Sequence, residues 1–315
     1  MKLPPCLDAQ SAALFDRPGM AVVRARGKDA RDYLHRRLSQ NIQRLEVGQW
    51  AYSTLLTGDG KLLADLNVYA IADSDFLLVA PPACRESLAQ HLDRYVIMEE
   101  MEILDESAGW SVMEIMGGAS AGVISALFGS EVKAGAFETV SSGLVHATQG
   151  FVVPGFQLLA ELDAKEGLWS RVIAGGAVAQ GAEVYEWLRI ASGIPLFGQD
   201  MDTGTIAVEA NLDKGIDFRK GCFPGQEIVA RIRNLGHPAR ELVGVRGPFE
   251  APPDLPLELH ASDGTVAGKL TSICVRDGEG MGLATVKWGF REAGTELKCE
   301  DGTSLTVSRL PFAVG

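Results

Sequence analysis

The sequence predicts an α+β fold that ends in a small antiparallel β-barrel. Strand-like and helix-like segments come in separate runs, without the steady alternation that a doubly wound parallel sheet requires. From about Glu241 the texture changes to short strands with turns at Asp263-Gly264, Asp277-Gly278-Glu279-Gly280 and Asp301-Gly302, spaced for hairpins and needing no helix. The length of 315 residues also exceeds what one hydrophobic core holds, roughly 250 to 300 residues, so two or three domains are expected. The boundary falls near Gly236 to Arg240, which gives an α+β region over 1–238 and a barrel over 239–315.

Gly27-Lys28-Asp29 opens a helix, because Ala30, Tyr33, Leu34 and Leu38 recur at helical spacing and Asp29 suits the positive end of the dipole. Trp50 to Leu56, the turn Thr57-Gly58-Asp59-Gly60-Lys61 and Leu62 to Ala70 read as a hairpin, with Phe76 to Ala80 as a further strand. A helix follows Pro81-Pro82 from near Ala83, marked by Leu88, Leu92, Tyr95 and Val96. Residues 110 to 160 read as strand, helix, strand. Lys165 to Ala174 is a helix stopped by Gly175-Gly176, and Glu183 to Ala191 another, stopped by Gly193 and Pro195.

Composition excludes several classes. An apolar share of 46% and a charged share of 22% are those of a globular chain. The first ten residues lack the apolar stretch of a signal peptide, and runs such as Phe76 to Ala80 and Phe151 to Phe156 are far short of the roughly 20 residues of a membrane span, so a cytoplasmic protein with no membrane partner is expected. Cys6, Cys84, Cys222, Cys274 and Cys299 are odd in number and hold no C-x-x-C pair, so neither disulfides nor a metal site is expected. A net charge of −12 argues against coating nucleic acid. The charge is uneven, however. Basic residues crowd 24 to 37 and 214 to 240, while every charge from Glu99 to Glu106 is acidic. The two basic stretches are either unrelated solvated faces or one local anion site.

Two side chains invite chemistry. Cys222 follows Arg219 and Lys220 and precedes the turn Pro224-Gly225 and a short helix from Gln226, so nearby cations and the helix dipole would lower its pKa; the bland alternative is an inert buried thiol. Asp65 lies in a strand whose even positions, Leu62, Ala64, Leu66, Val68 and Ala70, are apolar, which puts Asp65, Asn67 and Tyr69 together on the other face. That face lines a polar pocket or meets solvent. The five histidines have no metal-ligand spacing, and the glycines form neither a P-loop nor a dinucleotide fingerprint.

The segment Lys220 to Arg231, KGCFPGQEIVAR, resembles the signature of the YgfZ/GcvT-like folate-binding family, whose YgfZ-type members are relatives of the glycine-cleavage aminomethyltransferase. Gly27-Lys28-Asp29-Ala30 with its Tyr-Leu helix, Gly60 to Leu66, and Trp187 to Pro195 are similar to further family segments. The resemblance implies an aminomethyltransferase folate-binding-like multi-domain ring, with two interleaved subdomains in 1–238 around a folate pocket. It implies tetrahydrofolate or a folate derivative as cofactor, iron–sulfur enzymes or assembly proteins as partners, and an indirect link to tRNA modification. Cys222 and Asp65 would be the reactive residues. Asp65, Asn67, Tyr69, Lys220, Gln226, Glu227, Arg231 and Arg233 would line the cofactor site, with Lys220 poising the thiolate and Arg231 or Arg233 attracting the folate tail. Ala191 stands where the resemblance expects a pterin-binding glutamate, for which Glu209 is a substitute. A folate-dependent aminomethyl or methyl transferase and a tRNA-binding module are the rival functions.

Overall fold

The computed structural model describes residues 2–129, 132–140 and 142–314. Its elements are β1 (Ala13–Asp16), β2 (Ala21–Gly27), α1 (Ala30–Arg37), β3 (Trp50–Leu56), β4 (Leu62–Ala72), β5 (Asp75–Ala80), α2 (Leu88–Asp93), β6 (Met101–Asp105), β7 (Trp110–Met116), α3 (Ser120–Phe128), β8 (Phe137–Val140), β9 (Gly143–Ala147), β10 (Gly155–Glu161), α4 (Lys165–Ala174), β11 (Val178–Ala179), α5 (Ala182–Ser192), α6 (Gln226–Leu235), β12 (Arg240–Pro248), β13 (Leu257–His260), β14 (Val266–Arg276), β15 (Glu279–Lys287), β16 (Glu296–Lys298) and β17 (Ser304–Ser308). The α+β class and the closing barrel are those the sequence predicts. Among the described residues no helix is long and apolar enough to cross a membrane.

One sheet runs β3-β4-β5-β2-β6, the other β11-β1-β7-β10-β9-β8. The chain crosses between them twice, since β1 belongs to the second sheet, β2 to β6 to the first, and β7 again to the second. The even face of β4 joins Leu34, Leu38 and Phe76 in a core under α1. Its odd face is not a solvent face. Tyr69, with Trp50, Leu77 and Val79, packs against Val112, Phe137, Leu144 and Leu159 of the second sheet. Period-two alternation thus gives β4 an apolar side toward the helices and a polar side toward the inter-sheet space.

The structure departs from expectation in two places. Within the acidic run Glu99 to Glu106, Met101–Asp105 form β6, an edge strand paired with β2. The acids of this run meet the first basic stretch: Arg24 bonds Glu106 (2.7 Å), Lys28 bonds Glu100 (3.0 Å), Arg36 bonds Glu99 (2.9 Å) and Arg26 bonds Glu102, while Asp75 of β5 also bonds Arg24 (2.9 Å). Charges on an edge strand discourage further pairing, and here they pair with Arg24, Arg26, Lys28 and Arg36, which are engaged with acids of the protein itself. The helix expected from Ala83 to Val96 shrinks to a 3₁₀ turn at Pro82–Cys84 and the six residues of α2.

The barrel closes in the order β12-β15-β14-β13-β16-β17. It is filled by side chains such as Val245, Leu259, Leu270, Val286, Leu297 and Val307. Leu242, Met281, Leu283 and Phe312 join it to α5 through Trp187, Leu188, Ile190 and Ala191. Beside that apolar contact, Arg189 bonds Asp200 (2.7 Å) and the Ser272 hydroxyl of β14 (2.6 Å) and pairs with Glu186.

Candidate functional site

The inter-sheet face of β4 carries the most unusual chemistry. The Tyr52 hydroxyl of β3 donates to Oδ2 of Asp65 at 3.0 Å, while Oδ1 is buried without a hydrogen-bond partner. Burial pushes the Asp65 carboxyl up to about 6, against the opposing effect of the Tyr52 bond. Farther along the strand, Tyr69 meets Nε2 of His146 (2.9 Å) and Oε1 of Gln157 (3.0 Å), and Gln157 donates through Nε2 to Oε1 of Glu114 (2.8 Å). Asn67 approaches the Tyr69 hydroxyl at 3.5 Å. β4, β9, β10 and β7 each contribute to this cluster.

Its protons do not match its acceptors. Burial holds His146 down to about 4, so the ring is neutral at pH 7. Its Nδ1 lies 3.0 Å from the Ala147 carbonyl oxygen, which only accepts, so the ring proton is on Nδ1 and Nε2 offers a lone pair. His146 Nε2 and Gln157 Oε1 therefore compete for the single Tyr69 proton, and Oε2 of Glu114 is buried without a partner. Burial, the Glu114 charge and the approach of the hydroxyl to that carboxylate raise the Tyr185 pKa far above its usual value, so Tyr185 is a nearby donor for Glu114. Buried polar atoms are nearly always satisfied, so an acceptor surplus calls for donors from elsewhere.

Tyr185 links the cluster to a cavity of about 480 Å³ lined by Phe15, Arg17, Trp169, Gln180 and Glu186. The Arg17 guanidinium lies 3.6 Å from the Tyr185 ring centroid, and its Nε has no hydrogen-bond partner. This volume is in the range of small-molecule sites.

The Lys220 to Glu227 segment adjoins the same hairpin. A Cβ on Gly225 (φ +79°) would lie 2.6 Å from Cα of Gly60 and 2.7 Å from the Thr57 oxygen, so the turn before α6 sits directly on the β3–β4 turn and needs glycine. Cys222 is exposed, whereas Cys84 and Cys299 are buried and Cys6 and Cys274 half-buried. Burial raises the pKa of each of these four thiols, Cys84 and Cys274 to about 12.

The neighbouring residues have partners within the protein. Lys220 is buried, and its ammonium donates to the carbonyl oxygens of His35, Leu38 (2.5 Å) and Gln40 (3.0 Å) at the end of α1. The positive charge expected to poise Cys222 is engaged in closing a helix C-terminus, and desolvation lowers the Lys220 pKa to about 8. Lys220→Met is expected to cost roughly 2–4 kcal/mol in urea unfolding, because it orphans buried carbonyls. Gln226 donates to the Lys220 carbonyl at 3.4 Å, Glu227 pairs with Arg231 on the exposed face of α6 (2.7 Å), and Arg233 stacks over Phe218. Ala191 is buried in the apolar cluster shared with the barrel, a different cluster from that of Tyr69. Glu209 caps its own turn at the Ile206 N–H (3.4 Å).

Sequence reasoning groups Asp65, Asn67 and Tyr69 but misses Glu114, His146, Gln157, Arg17 and Tyr185. The available signal was Glu114, a lone acid inside the apolar run Val112 to Met116.

The family model described as GCVT N-terminal domain matches residues 9–220. An aminomethyltransferase of Synechococcus sp. is 27% identical, the alignment covering 96% of this chain and 87% of that protein. An aminomethyltransferase of Streptomyces coelicolor is 25% identical over 83% and 74% of the two chains. The solved structure of glycine cleavage system aminomethyltransferase T from Bartonella henselae superposes with a TM-score of 0.86 at 22% identity, covering 96% of this chain and 87% of that one. The fold is the same.

Proposed function

The chain belongs to the GCVT N-terminal domain family, and on that premise we propose that its inter-sheet cluster binds a reduced folate in the service of one-carbon transfer. The acceptor surplus carries this reading. A tetrahydropterin presents several N–H donors on one rigid edge, and Glu114, Gln157 and His146 offer acceptors short of protons. Bound there, tetrahydrofolate would supply the N5 and N10 nitrogens that carry the one-carbon unit. Asp65, with a carboxyl near 6, would take up or return the proton of a donor amine, its Oδ2 held by Tyr52 and its Oδ1 open to the ligand. Arg17 is the cation the cavity offers to the folate's carboxylates, in place of Arg231 or Arg233. The relatives named aminomethyltransferases favour the transferase reading.

A second reading has its own observation, the exposed thiol of Cys222 within KGCFPGQE. It favours a YgfZ-type factor that binds folate but acts through Cys222 in support of iron–sulfur enzymes and, indirectly, of tRNA modification. Both readings require the folate. Calorimetric titration with 5-formyltetrahydrofolate is expected to show saturable binding, weakened about 10- to 100-fold by Glu114→Gln, the loss of one charged hydrogen-bond acceptor. Absence of binding by the wild type would overturn both. Turnover of an aminomethyl donor that survives Cys222→Ser selects the first reading, and loss of cellular function in Cys222→Ser without loss of folate binding selects the second.

A further inference from the structure

We propose that the barrel carries a site for a divalent transition metal of the zinc or cobalt class, formed by Glu258 and His260 of β13 and by Glu300 just beyond β16. One ligand atom from each lies within 4.8 Å of the others, so side-chain rotations that draw them in by roughly 1 Å would let one ion sit about 2.0–2.2 Å from each. Glu258 and His260 stand two apart and share a face of β13. Glu300 comes from the neighbouring strand, whose Lys298 is the register partner of His260.

The imidazole is oriented for such an ion. With its N–H turned to the Gly264 carbonyl oxygen, 3.4 Å from Nδ1, the ring would present the Nε2 lone pair to the ion. Nε2 in turn lies 3.2 Å from Oε1 of Glu258. Two acceptors at that distance repel each other unless a cation or a proton stands between them. Two carboxylates and a neutral imidazole compensate a divalent charge and leave a coordination position open.

The location gives the ion a task. β13 and β16 meet through one register pair, His260 with Lys298, whereas β12 and β15 share nine. An ion held by ligands from both sides would clamp the shortest seam of the barrel, away from the folate cluster.

The test uses the full chain with Cys222→Ser, so that the exposed thiol does not compete, titrated with Co²⁺ and with Zn²⁺. Expected are uptake of one equivalent, a visible cobalt spectrum with an imidazole ligand, and a higher melting temperature with metal. His260→Gln and Glu300→Gln, both changes near the surface, should each weaken uptake at least about tenfold and abolish the melting shift. No stoichiometric uptake at about 100 µM metal, or uptake unchanged in both variants, would overturn the proposal, since a lone proton on His260 would then account for the short contact.

Discussion

Arg189→Met is expected to lower unfolding stability by about 3–5 kcal/mol, enough to unfold a marginal protein outright. Arg189 is 2% exposed, and its partner Asp200 has no side-chain exposure. The guanidinium also bonds the Ile194 carbonyl oxygen (3.2 Å) and Ser272 (2.6 Å), so α5, the following loop and β14 share one cation. Methionine fits the volume but leaves the Asp200 carboxylate buried with only neutral donors, the Leu196 N–H and the Thr271 and Ser272 hydroxyls. The double variant Arg189→Met/Asp200→Leu should recover much of the loss, because removing both charges of a buried pair costs far less than removing one. Urea unfolding of the two proteins measures the difference. A single-variant cost under about 1 kcal/mol would mean that the network is solvated and does not fasten the barrel.

Asp65→Asn is expected to remove transfer activity at least about 100-fold and, at the same time, to stabilise the protein above pH 7. Burial raises the folded carboxyl from its usual 3.8 to about 6. The folded state therefore favours the protonated form. That favourable contribution is complete below about pH 4 and is lost as pH rises through about 6, so above neutrality Asp65 is ionised where burial disfavours charge. Two units correspond to about 3 kcal/mol at most, and the partial exposure of the side chain reduces this to about 1–2 kcal/mol. Asparagine has no charge to bury and keeps an oxygen for Tyr52. Melting curves at pH 4 and pH 8 should show a gain for Asp65→Asn at pH 8 only. Equal gains at both would mean that Asp65 is ionised normally and that no strain is held at this position. On the one-carbon-transfer reading, such a cost in stability is what a residue retained for its chemistry would carry.

The parts of this picture that were legible in the sequence are those written in short-range pattern. Leu62 to Ala70 alternates strictly, so the grouping of Asp65, Asn67 and Tyr69 follows from strand geometry alone. The barrel is legible because its hairpins are local and their turns are marked by glycine. The polar cluster was hidden because its members come from β4, β7, β9 and β10, and no spacing rule relates Tyr69 to His146 or Gln157. His146 looked isolated for the same reason. Lys220 misled in the other direction: a cation two residues from a cysteine suggests an activated thiol, but a long side chain reaches past its neighbours, and this one ends at the last carbonyls of α1. Strand β6 is not evident from the sequence, because the acids of Glu99 to Glu106 carry no strand pattern until the arginines of β2 are placed beside them.

The double crossing of the chain between the two sheets also bears on biosynthesis. β1 leaves the ribosome early, yet its partner is β7, where Leu14 meets Ile115, and it gains its other neighbour only at Val178. β2 to β6 can close their own sheet in the meantime, so the nascent chain must hold an apolar strand unpaired while a later segment folds ahead of it. At roughly 5–20 residues per second that wait lasts several seconds. The first sheet, whose strands are contiguous in sequence, is thus expected to form before the inter-sheet cluster, which needs β7, β9 and β10 against β4.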